Sequence, residues 1–184
     1  MQHNLPNISG RFCCLAAAAI LLFSSYVSAE GKVSGEKVNA YYDVAMDGFD
    51  VVAYFKQSKP VKGDTQFKVD YKGKSWLFSS AQNAVAFEQS PADFEPQFNG
   101  WCAYGVSEGY GAEVDFVNGW SVLDGKLYLN WDAAVRKDFL DELIKRKANA
   151  YQNWSAVHTG LINGSVDLYT HEDEGAEIAH PQQP

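Results

Sequence analysis

The chain has 184 residues, of which 46% are hydrophobic and 14% aromatic, and it carries a formal net charge of −8. That acidity repels phosphate backbones and anionic lipid, which argues against nucleic acid and against charged membrane surfaces as partners. All five tryptophans lie beyond residue 30, so a packed core is expected there rather than disorder.

The first stretch has the order of a secretory signal. Met1 to Arg11 is polar, Phe12 to Val27 is apolar and rich in Ala and Leu, and Val27-Ser28-Ala29 places small residues at a cleavage point. An apolar run of about 16 residues falls short of the roughly 20 needed to span a bilayer, so residues 1–29 are read as a cleaved signal peptide and no stable membrane span is expected. Cys13 and Cys14 leave with it, and so does Arg11, making the remainder slightly more acidic. Cys102 is then the one cysteine left, and no internal disulfide is available.

Residues 30–40 read as a flexible leader, and the domain is expected over 41–157. Asp47-Gly48 marks a turn, and Asp50 to Phe55 is an apolar run suited to one or two helical turns. Phe67, Val69 and Tyr71 alternate with Lys68 and Asp70, the period of a half-buried strand. Lys72-Gly73 then turns the chain into a returning strand around Trp76 and Phe78. Ser79 or Ser80 can cap a helix from Ala81, and Pro91 either stops it or starts another turn. Trp120 to Leu123, Asp124-Gly125 and Lys126 to Asn130 form a hairpin, because an Asp-Gly pair accepts the positive φ of a tight turn. Asn130 or Asp132 caps a long amphipathic helix with Val135, Phe139, Leu140, Leu143 and Ile144 inward. Trp154 is expected to dock the end of this region onto the body. Residues 158–184 read as an acidic, disordered tail, and no internal repeat is visible.

Between Tyr42 and Trp154 the chain resembles the exported YHS-domain proteins. The matching pieces, in order, are Tyr42-Asp43-Val44-Ala45, Gly48-Phe49-Asp50 with Val52-Ala53-Tyr54-Phe55, and Tyr71 to Ser80 with Phe87, Pro91 and Phe94 behind it. Pro96 to Val106, which includes Trp101-Cys102-Ala103-Tyr104, and Gly125 to Asn130 complete the set. The resemblance implies an α+β fold of short antiparallel strands and hairpins packed with helices. It also implies a link to heavy-metal and copper handling, in which relatives use cysteines near the signature. Here Ser79 stands where those relatives place a cysteine, Ser80 to Phe87 contains none, and Val51 replaces a frequent proline. Soft-metal binding through thiolates needs two or more such ligands, and Cys102 is alone.

Candidate site residues follow from chemistry and position. Cys102 lies between glycines in Gly100-Trp101-Cys102-Ala103-Tyr104-Gly105 and is either a metal ligand or reactive thiol, or a small buried core residue. Trp101 and Tyr104 flank it. Asp43, Asp47 and Asp50 cluster and could hold a hard cation, or serve only in turns and caps. His158, His171 and His180 lie near acids at the carboxyl end, where loose divalent binding competes with plain solvation. Asn153-Trp154-Ser155 and Asn163-Gly164-Ser165 match a glycosylation pattern that arises often by chance. Tyr42, Tyr54, Trp76, Phe78, Trp101, Tyr104, Trp120 and Tyr128 form the core or in part line a pocket. No Ser-His-Asp set, phosphate loop or HExxH motif is present.

These features point to an exported, non-enzymatic binding module for a small ligand or metal ion such as copper, centred on Cys102, Tyr104, Trp101, Asp47 and Asp50. The alternative is an accessory domain contacting another envelope protein. Export means the periplasm in a Gram-negative source and secretion otherwise.

Overall fold

The computed structural model describes residues 44–172 and Met1. The expected signal peptide, the leader, Tyr42, Asp43, and the tail beyond residue 172 with His180 lie outside the described residues. Among the described residues no helix is long and apolar enough to cross a membrane.

The fold is α+β. A left-handed turn at Ala45–Gly48 leads into helix α1, Val51–Lys56. Asp50 caps that helix, and Val51 to Tyr54 are buried on all sides. Strands β1 (Asp64–Tyr71) and β2 (Lys74–Phe78) form the first hairpin, with Val69 opposite Trp76 and a bulge between Asp64 and Lys68. Lys72 and Gly73 turn it at φ 48° and 72°. Of the two candidate caps for α2 (Ala81–Gln89), Ser80 is the one used: its hydroxyl accepts the Asn83 N–H at 3.2 Å. Pro91 opens the short helix α3, Pro91–Phe94.

A second left-handed turn, Gln97–Gly100, leads into α4, Ala103–Glu108. Strand β3 is Gly111–Ala112. Strands β4 (Trp120–Leu123) and β5 (Lys126–Leu129) form the hairpin expected around Asp124-Gly125, both of which have positive φ. Asp132 caps α5, Ala133–Asp141, by accepting the Val135 N–H at 2.7 Å.

The structure departs from the sequence reading in three places. The amphipathic run after Asp132 is two helices, because Glu142 breaks it and α6 (Leu143–Asn163) starts anew. The new direction brings Arg146 onto α4 and turns Ile144, expected inward, out to 89% exposure. The chain also does not loosen at residue 158. Helix α6 continues to Asn163, and β6 (Leu168–Tyr169) pairs in parallel with β3, burying Val157, Gly160 and Thr170. The polar composition of this stretch hid the few small and apolar contacts that hold it.

Finally, a local pattern is used twice. Met46-Asp47-Gly48-Phe49-Asp50 and Phe98-Asn99-Gly100-Trp101-Cys102 each place three left-handed residues, an extended aromatic and the cap of a six-residue helix. No repeat was apparent in the sequence, because the shared geometry rests on only Asp/Asn-Gly-aromatic.

Two apolar clusters hold the body. One gathers Tyr54, Trp76, Phe78, Phe87 and Leu129 around the first hairpin, α1 and α2. The other gathers Phe98, Trp101, Val106, Tyr128, Phe139 and Val157 between α4, α5 and α6, with Trp154 packed against it as expected.

Candidate functional site

Cys102 is buried, and its backbone places it at the cap of α4, with Sγ accepting the Gly105 N–H at 3.5 Å. The backbone N–H groups of Trp131 and Tyr104 also approach the sulfur. Burial outweighs these donors and pushes the thiol up to about 11. Trp101 is buried in the second cluster. Tyr104 is half-buried under the Arg146 guanidinium, 4.2 Å from its ring centroid, and its hydroxyl accepts from Arg146 at 3.2 Å.

Asp50 is wholly buried and fully engaged. Oδ1 accepts from Val52 and Ala53 N–H, while Oδ2 accepts the Ser79 N–H, the Ser79 hydroxyl and the Asn83 amide. Five donors leave little of the carboxylate for a cation. Ser79, standing where metal-type relatives carry cysteine, spends its hydroxyl on this lock. Among the described residues, no three His, Cys, Asp or Glu side chains are placed to hold a metal ion.

An open cleft of about 420 Å³ lies elsewhere. Asp47 and Phe49 form one wall, the loop from Val114 to Val117 another, and Trp131, Asp132 and His171 close it. Of the five residues favoured from sequence, only Asp47 borders it. Phe49 and Phe116 stack at 5.6 Å between ring centroids. The buried Tyr54 hydroxyl donates to the Phe116 carbonyl at 2.8 Å and fixes the loop from below. Burial, reinforced by the Asp115 and Asp50 charges, raises the Tyr54 phenol far above its ordinary value, so it remains a donor.

Trp131 and His171 stack at 4.0 Å. Glu113 Oε2 holds His171 by its backbone N–H at 2.7 Å and faces Nδ1 at 3.1 Å. Burial works against the Asp115 carboxylate, but hydrogen bonds from Asn118 and Val117 together hold it below its ordinary range. Asp132 accepts the α5 cap bond. The Arg136 backbone N–H donates to the Asp132 carbonyl at 3.0 Å, but among the described residues no lysine or arginine side chain forms a salt bridge with the Asp115 or Asp132 carboxylate. At the rim, the Lys62 ammonium sits 3.9 Å from the Phe49 centroid and 2.8 Å from Asp47 Oδ2. Aromatic face plus carboxylate is thus already a seat for an ammonium group here.

Residues 52–97 match the YHS domain family model. This chain carries a YHS domain. No curated protein and no solved structure gives a significant match. The matched segment runs from α1 through α3 and contains the Asp50–Ser79 lock's serine, yet no cleft-lining residue falls within it. The cleft is built by what flanks the matched YHS segment. Sequence reasoning missed Phe49, Phe116 and Trp131 as site residues. They stand in separate loops, and His171 was assigned to a tail. Of the aromatics read as core or in part as pocket lining, Tyr54, Trp76, Phe78, Trp101 and Tyr128 are core.

Proposed function

We propose that this YHS-domain protein is an exported, non-enzymatic binding module that takes a small organic cation in the cleft bounded by Phe49, Phe116, Trp131 and His171. The observation that carries the reading is the pairing of aromatic rings with the carboxylates of Asp115 and Asp132 in one open concavity, beside an Asp47 carboxylate that Lys62 already holds. Such a site stabilises a positive charge carrying apolar surface. A thiolate metal site has less support, since Cys102 is buried, neutral and occupied as a helix cap.

Calorimetric titration of the purified protein with choline, putrescine and Cu²⁺ tests it. The neutral choline isostere 3,3-dimethyl-1-butanol serves as control. The expected result is saturable binding of an organic cation, absent for the isostere and weakened about tenfold by Trp131→Ala, in line with the ~1–2 kcal/mol of a desolvated cation–π contact. Binding of Cu²⁺ alone, or cation binding indifferent to Trp131→Ala and Asp115→Asn, would overturn it. Export is tested separately, by mass spectrometry of protein from an extracytoplasmic fraction, which should begin at Glu30.

A further inference from the structure

Histidine is the side chain whose charge changes between about pH 5 and 8, and the cleft wall includes one, His171. Its position is fixed by the chain just before it. Strand β6 pairs with β3, the Glu113 N–H donates to the Tyr169 carbonyl at 3.0 Å, and Thr170 is buried. The His171 N–H then meets Glu113 Oε2 at 2.7 Å, and Nδ1 faces the same oxygen at 3.1 Å. These bonds hold the imidazole over Trp131, with 4.0 Å between ring centroids and 29° between planes. The ring leaves the cleft only by giving up backbone and side-chain bonds together.

The partner also sets the tautomer. A carboxylate oxygen only accepts, so Nδ1 carries a proton directed at Glu113. Nε2 is then the atom that takes up the second proton, and with the side chain 37% exposed that proton comes from solvent. The charged groups facing the ring are acidic. Glu113 follows β3, Asp115 lies in the next loop, where the His171 charge favours its carboxylate, and Asp132 stands across the cleft. Asp47 is already matched by Lys62, and Glu172 comes next in the chain. A neutral His171 is one more aromatic wall. A protonated His171 is itself a cation stacked on an indole among carboxylates, the arrangement an organic cation would take there.

We infer that His171 is the cleft's own competitor for an organic cation, its imidazolium filling the seat in acid and its neutral ring leaving the seat open in mild alkali. The inference rests on the cation-binding reading above and adds its regulation. Proton and ligand bring the same charge to one concavity, so each weakens the other, reciprocally. Where the two exclude each other, apparent affinity falls by up to about tenfold per pH unit once His171 is charged.

Calorimetric titration with choline and putrescine, whose charges stay fixed, between about pH 8 and about pH 5.5 provides the test. The expected result is an affinity about tenfold lower at the acid end. The Asp115 carboxylate, held below its ordinary range, stays ionised throughout. His171→Phe keeps a ring beside Trp131, and His171→Gln keeps a donor for Glu113, but neither can gain the charge. Each should bind with an affinity constant to within about twofold across the same range. In wild type, a saturating cation should move the imidazole titration of His171, followed by NMR, to lower pH by about one unit, the counterpart of the tenfold change. The titration of His158 should stay in place, and circular dichroism at each pH checks that the fold is intact. Cation binding equally strong at both ends of the range, or falling equally in both variants, would overturn the inference and leave the binding reading standing. Binding of neither cation at any pH would overturn both.

Discussion

Ser79 donates both its backbone N–H and its hydroxyl to a single oxygen of Asp50, at 2.8 and 2.6 Å. The contact joins the α1 cap to the junction of β2 and α2, across 29 residues of sequence. Asn83 adds a third donor to the same oxygen at 2.7 Å. Asp50→Ala should therefore leave buried donors unmet and destabilise the domain by about 3–5 kcal/mol. Ser79→Ala should cost only about 1–2 kcal/mol, because the backbone donor persists. Urea unfolding monitored by tryptophan fluorescence compares the two, and equal losses would contradict the shared-acceptor account.

Cys102 is expected to be inert in the folded protein. Native-state alkylation should proceed only at the rate of unfolding, and should accelerate sharply in denaturant. Burial favours the protonated thiol, raising it from 9.0 to about 11. The unfolded chain thus loses its proton first as pH rises. The thiol's contribution is fully present below about pH 9 and is lost as the pH climbs through 11. Its size is on the order of 2–3 kcal/mol. Cys102→Ala should reduce the alkaline slope of unfolding free energy between those values. Tyr54, Tyr110 and Tyr128, all raised chiefly by burial, maintain the slope at higher pH.

Gly119 closes the loop that forms one cleft wall. Its N–H donates to the Asp115 carbonyl at 2.9 Å, and a Cβ there would lie 2.1 Å from the Asn130 carbonyl oxygen. Backbone must move to admit it. Gly119→Ala should lower stability by about 2–3 kcal/mol, in the range of overpacking, and should abolish cation binding in the calorimetric assay. Unaltered binding would show that the Asp115 loop does not form the site.

Arg146 is buried, and its guanidinium meets Glu108, Glu142, the Ser107 hydroxyl and Tyr104. Arg146→Ala should cost about 3–5 kcal/mol by stranding Glu108 and opening a cavity between α4 and α6. Combining it with Glu108→Ala should cost less than the sum of the single changes. A double-mutant cycle on thermal or urea unfolding measures that coupling.

Local chemistry made much of the fold legible. Asp-Gly at 124–125 and Lys-Gly at 72–73 tolerate positive φ, so both hairpins could be placed without reference to the rest of the chain. Ser80 and Asp132 were readable as caps, because a cap acts on backbone two or three residues away. The break at Glu142 was not, since no glycine or proline marks it and the outcome depends on Arg146 finding α4. The role of Asp50 was half visible: its cap bonds are local, but its bonds to Ser79 and Asn83 are not.

The α+β class, the two hairpins and the YHS segment were settled by the order of residues alone, because turns, caps and period-2 alternation act over a few residues. The cleft was decided by tertiary structure. Phe49, Phe116, Trp131 and His171 come from four separated parts of the chain, and only packing of the Val114–Val117 loop and the β3–β6 pair brings their rings together. The same packing put Cys102, the residue to which sequence chemistry pointed first, behind Trp131 as a buried helix cap.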